Sequence, residues 1–99
     1  IEAIHNQTGI PVIYTEYGYR SVNNCEEEPW DWSSGGVVNL EAQVNYYLGL
    51  YYSFWDKPWF EGGFMWKWEA DHSSAGGTNN NELTPQNKPA EQTFKFMYE

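Results

Sequence analysis

The stretch Pro11-Val12-Ile13-Tyr14-Thr15-Glu16-Tyr17-Gly18 decides the fold. It is rich in β-forming residues, and its apolar side chains fall at both odd and even positions. That pattern is typical of a strand buried on both faces, as the strands of a parallel sheet are. The turn at Tyr17-Gly18 ends the strand and leaves the Glu16 carboxyl group near its carboxyl end.

The segments on either side alternate between helix and strand. Residues 1–8 are predicted to form a helix that ends at Gly9, with Pro11 just beyond it. A second strand is predicted over 60–68, and a last helix opens at Lys88-Pro89. Between the strands, a helix from Asn39 to about Asp56 presents one apolar face of Leu40, Val44, Tyr47, Leu48, Tyr51 and Trp55.

Loop lengths in this α/β chain are asymmetric. The long polar segments, 19–38 and 71–87, both follow strands, whereas the connections that precede strands are short. In a (β/α)₈ barrel the loops after the strands build the active site. A doubly wound sheet gives the same alternation, so this pattern leaves both architectures open.

The length of the chain bears on how much of a barrel it holds. A complete barrel needs roughly 250 residues, and this chain has 99 and begins at Ile1 rather than Met. We therefore expect residues 1–99 to be part of one incomplete barrel domain. Localisation stays open, because a leader segment cannot be sought in such a sequence.

Composition points toward a sugar ligand and away from several other classes. Aromatic residues make up 19% of the chain, and rings that line a cleft suit the apolar face of a sugar. The formal charge of −9 repels nucleic acids and anionic membranes, and no apolar run approaches about 18 residues. The single Cys25 and the separated His5 and His72 offer no metal-ligand spacing, so neither a metal nor a cofactor is expected.

Three motifs together resemble the last quarter of clan-A glycoside hydrolases, most closely the β-mannanase-type family 113. They are Val12-Ile-Tyr-Thr-Glu-Tyr-Gly-Tyr-Arg-Ser21, Gly63-Phe-Met-Trp-Lys-Trp-Glu69 and Asn87-Lys-Pro-Ala90. The resemblance implies that the two strands are strands 7 and 8 of a (β/α)₈ barrel. It also implies a retaining, endo-β-mannanase-like enzyme that cleaves a β-linked polysaccharide and needs no cofactor.

The same resemblance assigns roles to individual residues. Glu16 matches the catalytic nucleophile, Trp66 matches the platform under the sugar, and Trp68 is the second match for that platform. The acid/base of the clan belongs to an Asn-Glu pair on an earlier strand. Asn81-Glu82 is also an Asn-Glu pair, but it lies after the second strand. We therefore expect the acid/base outside this chain and the chain alone to be inactive.

In such a barrel, strand alternation predicts that Val12, Tyr14 and Glu16 point to the axis, and that Ile13 and Thr15 meet the outer helices.

Each further assignment has a plainer structural alternative. Glu16 could simply reach solvent at a strand end or pair with Arg20. Arg20, assigned to the substrate-binding residues, could hold Glu16 ionised through charge pairing or instead form a helix-facing salt bridge. Tyr14 and Tyr17 could hydrogen-bond the nucleophile or a sugar hydroxyl, or only pack. Trp30 and Trp32 could form a distal sugar platform or only pack within their loop, and Asp71 and His72 lie where they could touch substrate. Two other functions stay open: a noncatalytic carbohydrate-binding piece and an unrelated parallel α/β domain.

Two βα units alone would leave strand edges and a helix face uncovered. The stripe formed by Tyr47, Leu48, Tyr51 and Trp55 is expected to be such a face. We therefore expect the chain to contact the rest of its barrel or copies of itself, in addition to a polysaccharide or oligosaccharide.

Overall fold

The computed structural model describes residues 1–27 and 35–99 and has the expected mixed α/β order of helix, strand, helix, strand, helix. The second strand ends at Met65 and the middle helix at Phe54, each before its predicted end. A short 3₁₀ turn lies in the loop after the second strand. The elements are α1 (Glu2–Thr8), β1 (Val12–Tyr17), α2 (Leu40–Phe54), β2 (Phe60–Met65), the 3₁₀ turn (His72–Ser74) and α3 (Pro89–Tyr98).

Local capping signals set the helix ends where the sequence predicts them. Gly9 takes a left-handed φ of 71°, and its N–H donates to the carbonyl of His5 at 2.7 Å. The Asn39 side chain accepts a hydrogen bond from the Ala42 N–H at 2.9 Å and so caps α2. Pro89 occupies the first turn of α3, where a missing N–H costs nothing.

The two strands pair in parallel, which confirms the prediction for them. Val12 lies opposite Phe60, and Tyr14 lies opposite Gly63. The next partners are Tyr17 and Met65, so two residues of β1 stand against one residue of β2 in between. This irregularity has the form of a β-bulge, which interrupts the strict alternation of side chains.

The predicted facing of the β1 side chains is wrong. Tyr14 packs on the helix layer, with its ring 5.5 Å from that of Phe54 in α2, whereas Ile13 and Thr15 are exposed. A two-residue period shows which residues share a face but not which face meets the helices. The bulge then brings Tyr17, three residues after Tyr14, into the same core and leaves Glu16 exposed.

The core lies between the sheet and the helices α2 and α3. Tyr47 and Tyr51 are only 0% and 1% exposed, and the Phe94 ring of α3 lies 4.8 Å from the Tyr47 ring in an edge-to-face contact. The Tyr17 ring stacks on Phe94 from the strand side. The expectation that this stripe of α2 needs an outside partner is therefore wrong for Tyr47 and Tyr51, because β1 and α3 already cover these two rings.

The other face of the sheet is open. Ile13 is 51% exposed and Phe64 is 65% exposed. Each strand also has a single neighbour within the described part of the chain, which leaves one edge of each unpaired. Among the described residues, no helix has the length and apolar character needed to cross a membrane.

Candidate active site

The carboxyl ends of β1 and β2 meet at one edge of the sheet. The Trp66 N–H donates to the Tyr17 carbonyl at 2.7 Å, which holds the first residue after β2 against the last residue of β1. A Cβ on Gly18 would lie 2.1 Å from the Trp66 carbonyl oxygen, so only glycine allows this approach. Glu16 and Trp66 therefore emerge at the same end of adjacent strands.

The side chains of the assigned nucleophile and platform are accessible. Glu16 is exposed, and its carboxylate has no hydrogen-bond or ion-pair partner within residues 1–27 and 35–99. Trp66 and Trp68 are each 52% exposed, and the Trp68 ring lies 6.1 Å from the ring of His72. An exposed carboxylate and accessible aromatic rings at one edge of a sheet can act on a ligand that has an apolar face and a reactive polar centre.

The structure places two other assigned residues, Tyr14 and Tyr17, in the helix-side core. The Tyr17 hydroxyl lies 3.1 Å from that of Tyr51 and 2.5 Å from that of Tyr98. Burial, together with these hydrogen bonds, raises the pKa of Tyr17 far above its usual range. Tyr17 therefore packs within the core, as its structural alternative describes. Tyr14 likewise packs against the rings of Phe54 and Phe60.

Arg20 braces the loops that follow the strands. It is 5% exposed, and its Nε donates to the Asn81 carbonyl at 3.0 Å. A second guanidinium nitrogen donates to the Gly35 carbonyl at 3.2 Å. Arg20 thus links the loop after β1 to the loop after β2. Trp30 and Trp32, assigned to a distal platform, lie outside the described residues.

Asp71 and His72 contribute to the loop after β2. The Asp71 carboxylate accepts hydrogen bonds from the hydroxyls of Ser73 at 2.7 Å and Ser74 at 2.9 Å, and these bonds lower its pKa. His72 Nε2 lies 2.5 Å from the Glu91 carboxylate of α3. Burial acts to raise the pKa of Glu91, but hydrogen bonds from His72 and Asn87 leave it lowered. Both acidic groups are engaged in holding the loop.

A cavity beside Trp66 was not foreseen from the sequence. Its volume is about 330 Å³, and it is lined by Trp66, Lys67, Glu69, Glu82, Leu83 and Thr84. Nothing in the local sequence indicates that Glu69 and Glu82 line the same cavity, because they lie in different parts of a long loop. The polar residues of the run Thr84-Pro85-Gln86 are buried, a placement that the sequence itself does not indicate.

Buried polar side chains hold the walls of this cavity. Gln86, 0% exposed, donates to the Glu69 carbonyl at 3.1 Å and accepts from the Glu69 N–H at 2.6 Å. Lys88, 5% exposed, donates to the Glu82 carbonyl and to the Ser21 hydroxyl, each at 3.0 Å. Burial lowers the pKa of Lys88 to about 8. These bonds replace the water that the buried groups have lost.

In the part of the chain that the structure describes, no group of three or more His, Cys, Asp or Glu residues is placed so that it could hold a metal ion.

The open carboxylate, the aromatic residues and the paired strands together fit a carbohydrate-active α/β enzyme, and comparison with known proteins identifies the family. The model of Glycoside Hydrolase Family 113 matches residues 1–88. The chain belongs to that family, which confirms the resemblance seen in its motifs. A comparison with curated protein sequences found no match.

Solved structures agree with the family assignment. The chain is similar to a GH113 β-1,4-mannanase solved as a complex, with a TM-score of 0.85 and 29% identity over 99% of this chain and 32% of that one. A second GH113 β-1,4-mannanase structure matches with a TM-score of 0.83 and 29% identity, over 98% of this chain and 32% of that one. A third structure is that of AaManA, a GH113 β-mannanase from Alicyclobacillus acidocaldarius in complex with ManMIm. It matches with a TM-score of 0.78 and 24% identity, over 97% of this chain and 32% of that one. The chain thus spans about a third of the length of these enzymes.

Proposed function

We propose that this chain supplies the nucleophilic carboxylate, Glu16, of a retaining glycoside hydrolase that cleaves a β-linked polysaccharide of the β-mannan type. The observation that carries the proposal is the position of Glu16, exposed at the end of β1, next to Trp66 at the end of the adjacent parallel strand. Because the chain belongs to Glycoside Hydrolase Family 113, this arrangement supports hydrolysis of a glycosidic bond.

The proposal assigns β1 and β2 to strands 7 and 8 of one catalytic barrel. The remaining strands would pack against Ile13 and Phe64 on the open face and pair with the two free edges. Closing a barrel in this way removes both exposed edges and the exposed apolar side chains. The rest of the barrel is therefore the partner proposed for the chain, with self-association as the substitute when that partner is missing.

The reaction would proceed in two displacements. In the first, a Glu16 carboxylate oxygen attacks the anomeric carbon, the glycosidic C–O bond breaks, and the leaving oxygen takes a proton from a second carboxylic acid. In the second, that group removes a proton from water, the water oxygen attacks the anomeric carbon, and the bond to Glu16 breaks. The second carboxyl group is assigned to the part of the barrel outside this chain.

Trp66 would hold the sugar unit whose bond is broken. Half of its surface is accessible, and its backbone is fixed by the bond to Tyr17 and by contact with Gly18. A ring on a backbone held in this way gives the C–H face of a sugar a flat apolar surface. Trp68, equally exposed, would extend that surface toward His72.

The test is hydrolysis of β-1,4-mannan by a complete barrel in which residues 1–99 replace the corresponding segment of a GH113 β-mannanase. Glu16→Gln should lower kcat by on the order of 10⁴ or more, as the loss of a nucleophile generally does. Glu2→Gln, an exposed change on α1, serves as the matched control and should leave kcat unchanged. The purified 99-residue chain should be inactive, because it lacks the acid/base.

Two results would contradict the proposal. Equal hydrolysis by the parent barrel and Glu16→Gln would remove Glu16 from the chemistry. Sugar binding that depends on Trp66 in a barrel that never hydrolyses mannan would favour the noncatalytic carbohydrate-binding function.

A further inference from the structure

The loop after β2 contains a segment, residues 80–83, whose four backbone carbonyls all accept hydrogen bonds from side chains in other parts of the chain. Two of the donors come from the loop after β1. The Ser21 hydroxyl donates to the Asn80 carbonyl at 2.6 Å, and Arg20 Nε donates to the Asn81 carbonyl at 3.0 Å. The loop after β1 is thus bonded directly to this segment.

The other two donors come from the helix layer. Lys88 Nζ, at the start of α3, donates to the Glu82 carbonyl and to the Ser21 hydroxyl, each at 3.0 Å. Gln43 Nε2, in α2, donates to the Leu83 carbonyl at 3.1 Å. We call the four donor side chains the loop clamp, and all of them are buried: Arg20 and Lys88 at 5% exposure, Ser21 and Gln43 at 0%.

The chemistry of the loop clamp favours a role in geometry over a role in stability. Burial lowers the pKa of Lys88 to about 8, the charge of Glu82 opposes this change, and the charge of Arg20 adds to it. Burying two cations near each other costs stability, and well-packed apolar side chains would often stabilise a fold as well or better. Directional hydrogen bonds, by contrast, fix one relative position of the segments that they join.

The segment 80–83 meets the candidate active site at the ends of both strands. A Leu83 methyl carbon lies 3.4 Å from the position that a Cβ on Gly18, in the turn after β1, would take. Leu83 also lines the cavity beside Trp66. A shift of the segment would therefore disturb the turn that follows Glu16 and the wall that faces Trp66.

We propose that Lys88 and Gln43 are positioning residues for the reaction of Glu16, because they lock segment 80–83 between the helices and the two loops that follow the strands. The inference rests on the proposed glycoside hydrolase function. Since both side chains are buried, they act through the backbone of the segment rather than on the sugar. A misplacement of about 1 Å that starts far from the chemistry can lower a rate by about a hundredfold. The loop clamp should therefore affect the rate at which the nucleophile reacts.

The experiment uses the complete barrel and measures how fast Glu16 is labelled by a mannosyl fluoride that carries fluorine in place of its 2-hydroxyl. This analogue forms the covalent intermediate and then stalls. Lys88→Met and Gln43→Met remove the donors and keep side chains of similar length. Each should lower the labelling rate constant at saturating reagent by roughly tenfold. Because both act through one segment, the double variant should lose less than the product of the two single losses.

Three further variants separate positioning from folding. Phe94→Leu, in the helix-side core, should lower the thermal midpoint but leave the labelling rate constant at the parent's value. Lys95→Met removes an exposed charge on the same helix as Lys88 and should match the parent in both quantities. Ser21→Ala is the mildest change to the loop clamp and decides the question if Lys88→Met does not fold. It should lower the rate constant by about threefold, as the loss of a hydrogen bond does.

Labelling at the parent's rate in the folded loop-clamp variants would overturn the inference. So would a Phe94→Leu variant that slows labelling as much as Gln43→Met, because a loss of stability would then explain both. Single losses that multiply fully in the double variant would show that the two side chains do not act through one segment. A failure of the proposed function gives a different result: Glu16 would take up no label in the parent, and the inference would fall with it.

Discussion

The two faces of the same small sheet differ sharply in how they are covered. On the helix side, Tyr47 and Tyr51 are almost completely buried against Tyr17. On the other side, Ile13 and Phe64 keep half or more of their surface exposed. The helix side is a finished core that this chain builds alone, whereas the open side presents apolar surface suited to more polypeptide. The candidate active-site residues Glu16 and Trp66 lie at the boundary between the two faces, where the strands end.

The largest expected effect comes from truncating one residue on each face. Tyr47→Ala should cost about 3–5 kcal/mol of unfolding free energy, because it removes a fully buried ring. Phe64→Ala should change the stability of the 99-residue chain by no more than about 0.5 kcal/mol, as exposed substitutions do. In the complete barrel, however, Phe64→Ala should become nearly as costly as Tyr47→Ala.

Urea unfolding of both variants in both contexts would check this. If Phe64→Ala has the same small effect in the chain and in the barrel, the open face is not covered by the remaining strands.

Two glycines, one at the boundary between the faces and one inside α2, sharpen the comparison. Gly18→Ala should cost about 3 kcal/mol, because the new Cβ meets the Trp66 carbonyl and the backbone must move. Gly49→Ala should stabilise the protein by about 1 kcal/mol, since Gly49 lies inside α2 with open space around it. Thermal unfolding should give a lower midpoint for Gly18→Ala and a higher midpoint for Gly49→Ala than for the parent chain. An unchanged midpoint for Gly18→Ala would contradict the close approach of the strand ends.

The pH dependence of the helix-side core gives a further test. Burial raises the pKa of Tyr51, and likewise those of Tyr17 and Tyr47, well above the usual value near 10. Their contribution to stability is complete below pH 10, where they are protonated in both states. As the pH rises toward the raised values, the unfolded chain releases protons that the core keeps, so stability falls by up to about 1.4 kcal/mol per pH unit for each tyrosine.

Tyr51→Phe should reduce this slope, whereas Tyr52→Phe, on the exposed side of α2, should not. Unfolding free energies measured between pH 9 and 11 would show the difference, and equal slopes for the two variants would mean that the core does not exclude the ionised ring.

The parts of the fold that local chemistry determines could be predicted from the sequence. Gly9, Asn39 and Pro89 mark helix ends through their own backbone and capping properties, and the parallel pairing follows from the doubly apolar strand at Val12. The facing of Tyr14 was missed because alternation does not say which parity meets the helices. The bulge before Tyr17 is a matter of register between two strands, which neither strand encodes alone.

The parts of the candidate site differ in how far topology alone predicts where they lie. Glu16 and Trp66 lie at strand ends, so topology alone brings them to one edge. The wall formed by Glu69 and Glu82 depends on Gln86, whose side chain reaches back across the loop to hold Glu69. Such a long-range side-chain contact leaves no periodic signal in a sequence.

The central claim is that Glu16 becomes covalently bonded to the sugar, and trapping that species tests it most directly. A mannosyl fluoride with fluorine in place of the 2-hydroxyl should react with the complete barrel and then stall. The fluorine disfavours the positive charge that develops in both steps, while the good leaving group keeps the first step possible. Mass spectrometry of the digested protein should find one fluorosugar on Glu16 and none after Glu16→Gln. A label on another carboxylate, such as Glu69 or Glu82, or an unlabelled enzyme that still hydrolyses mannan, would contradict the account.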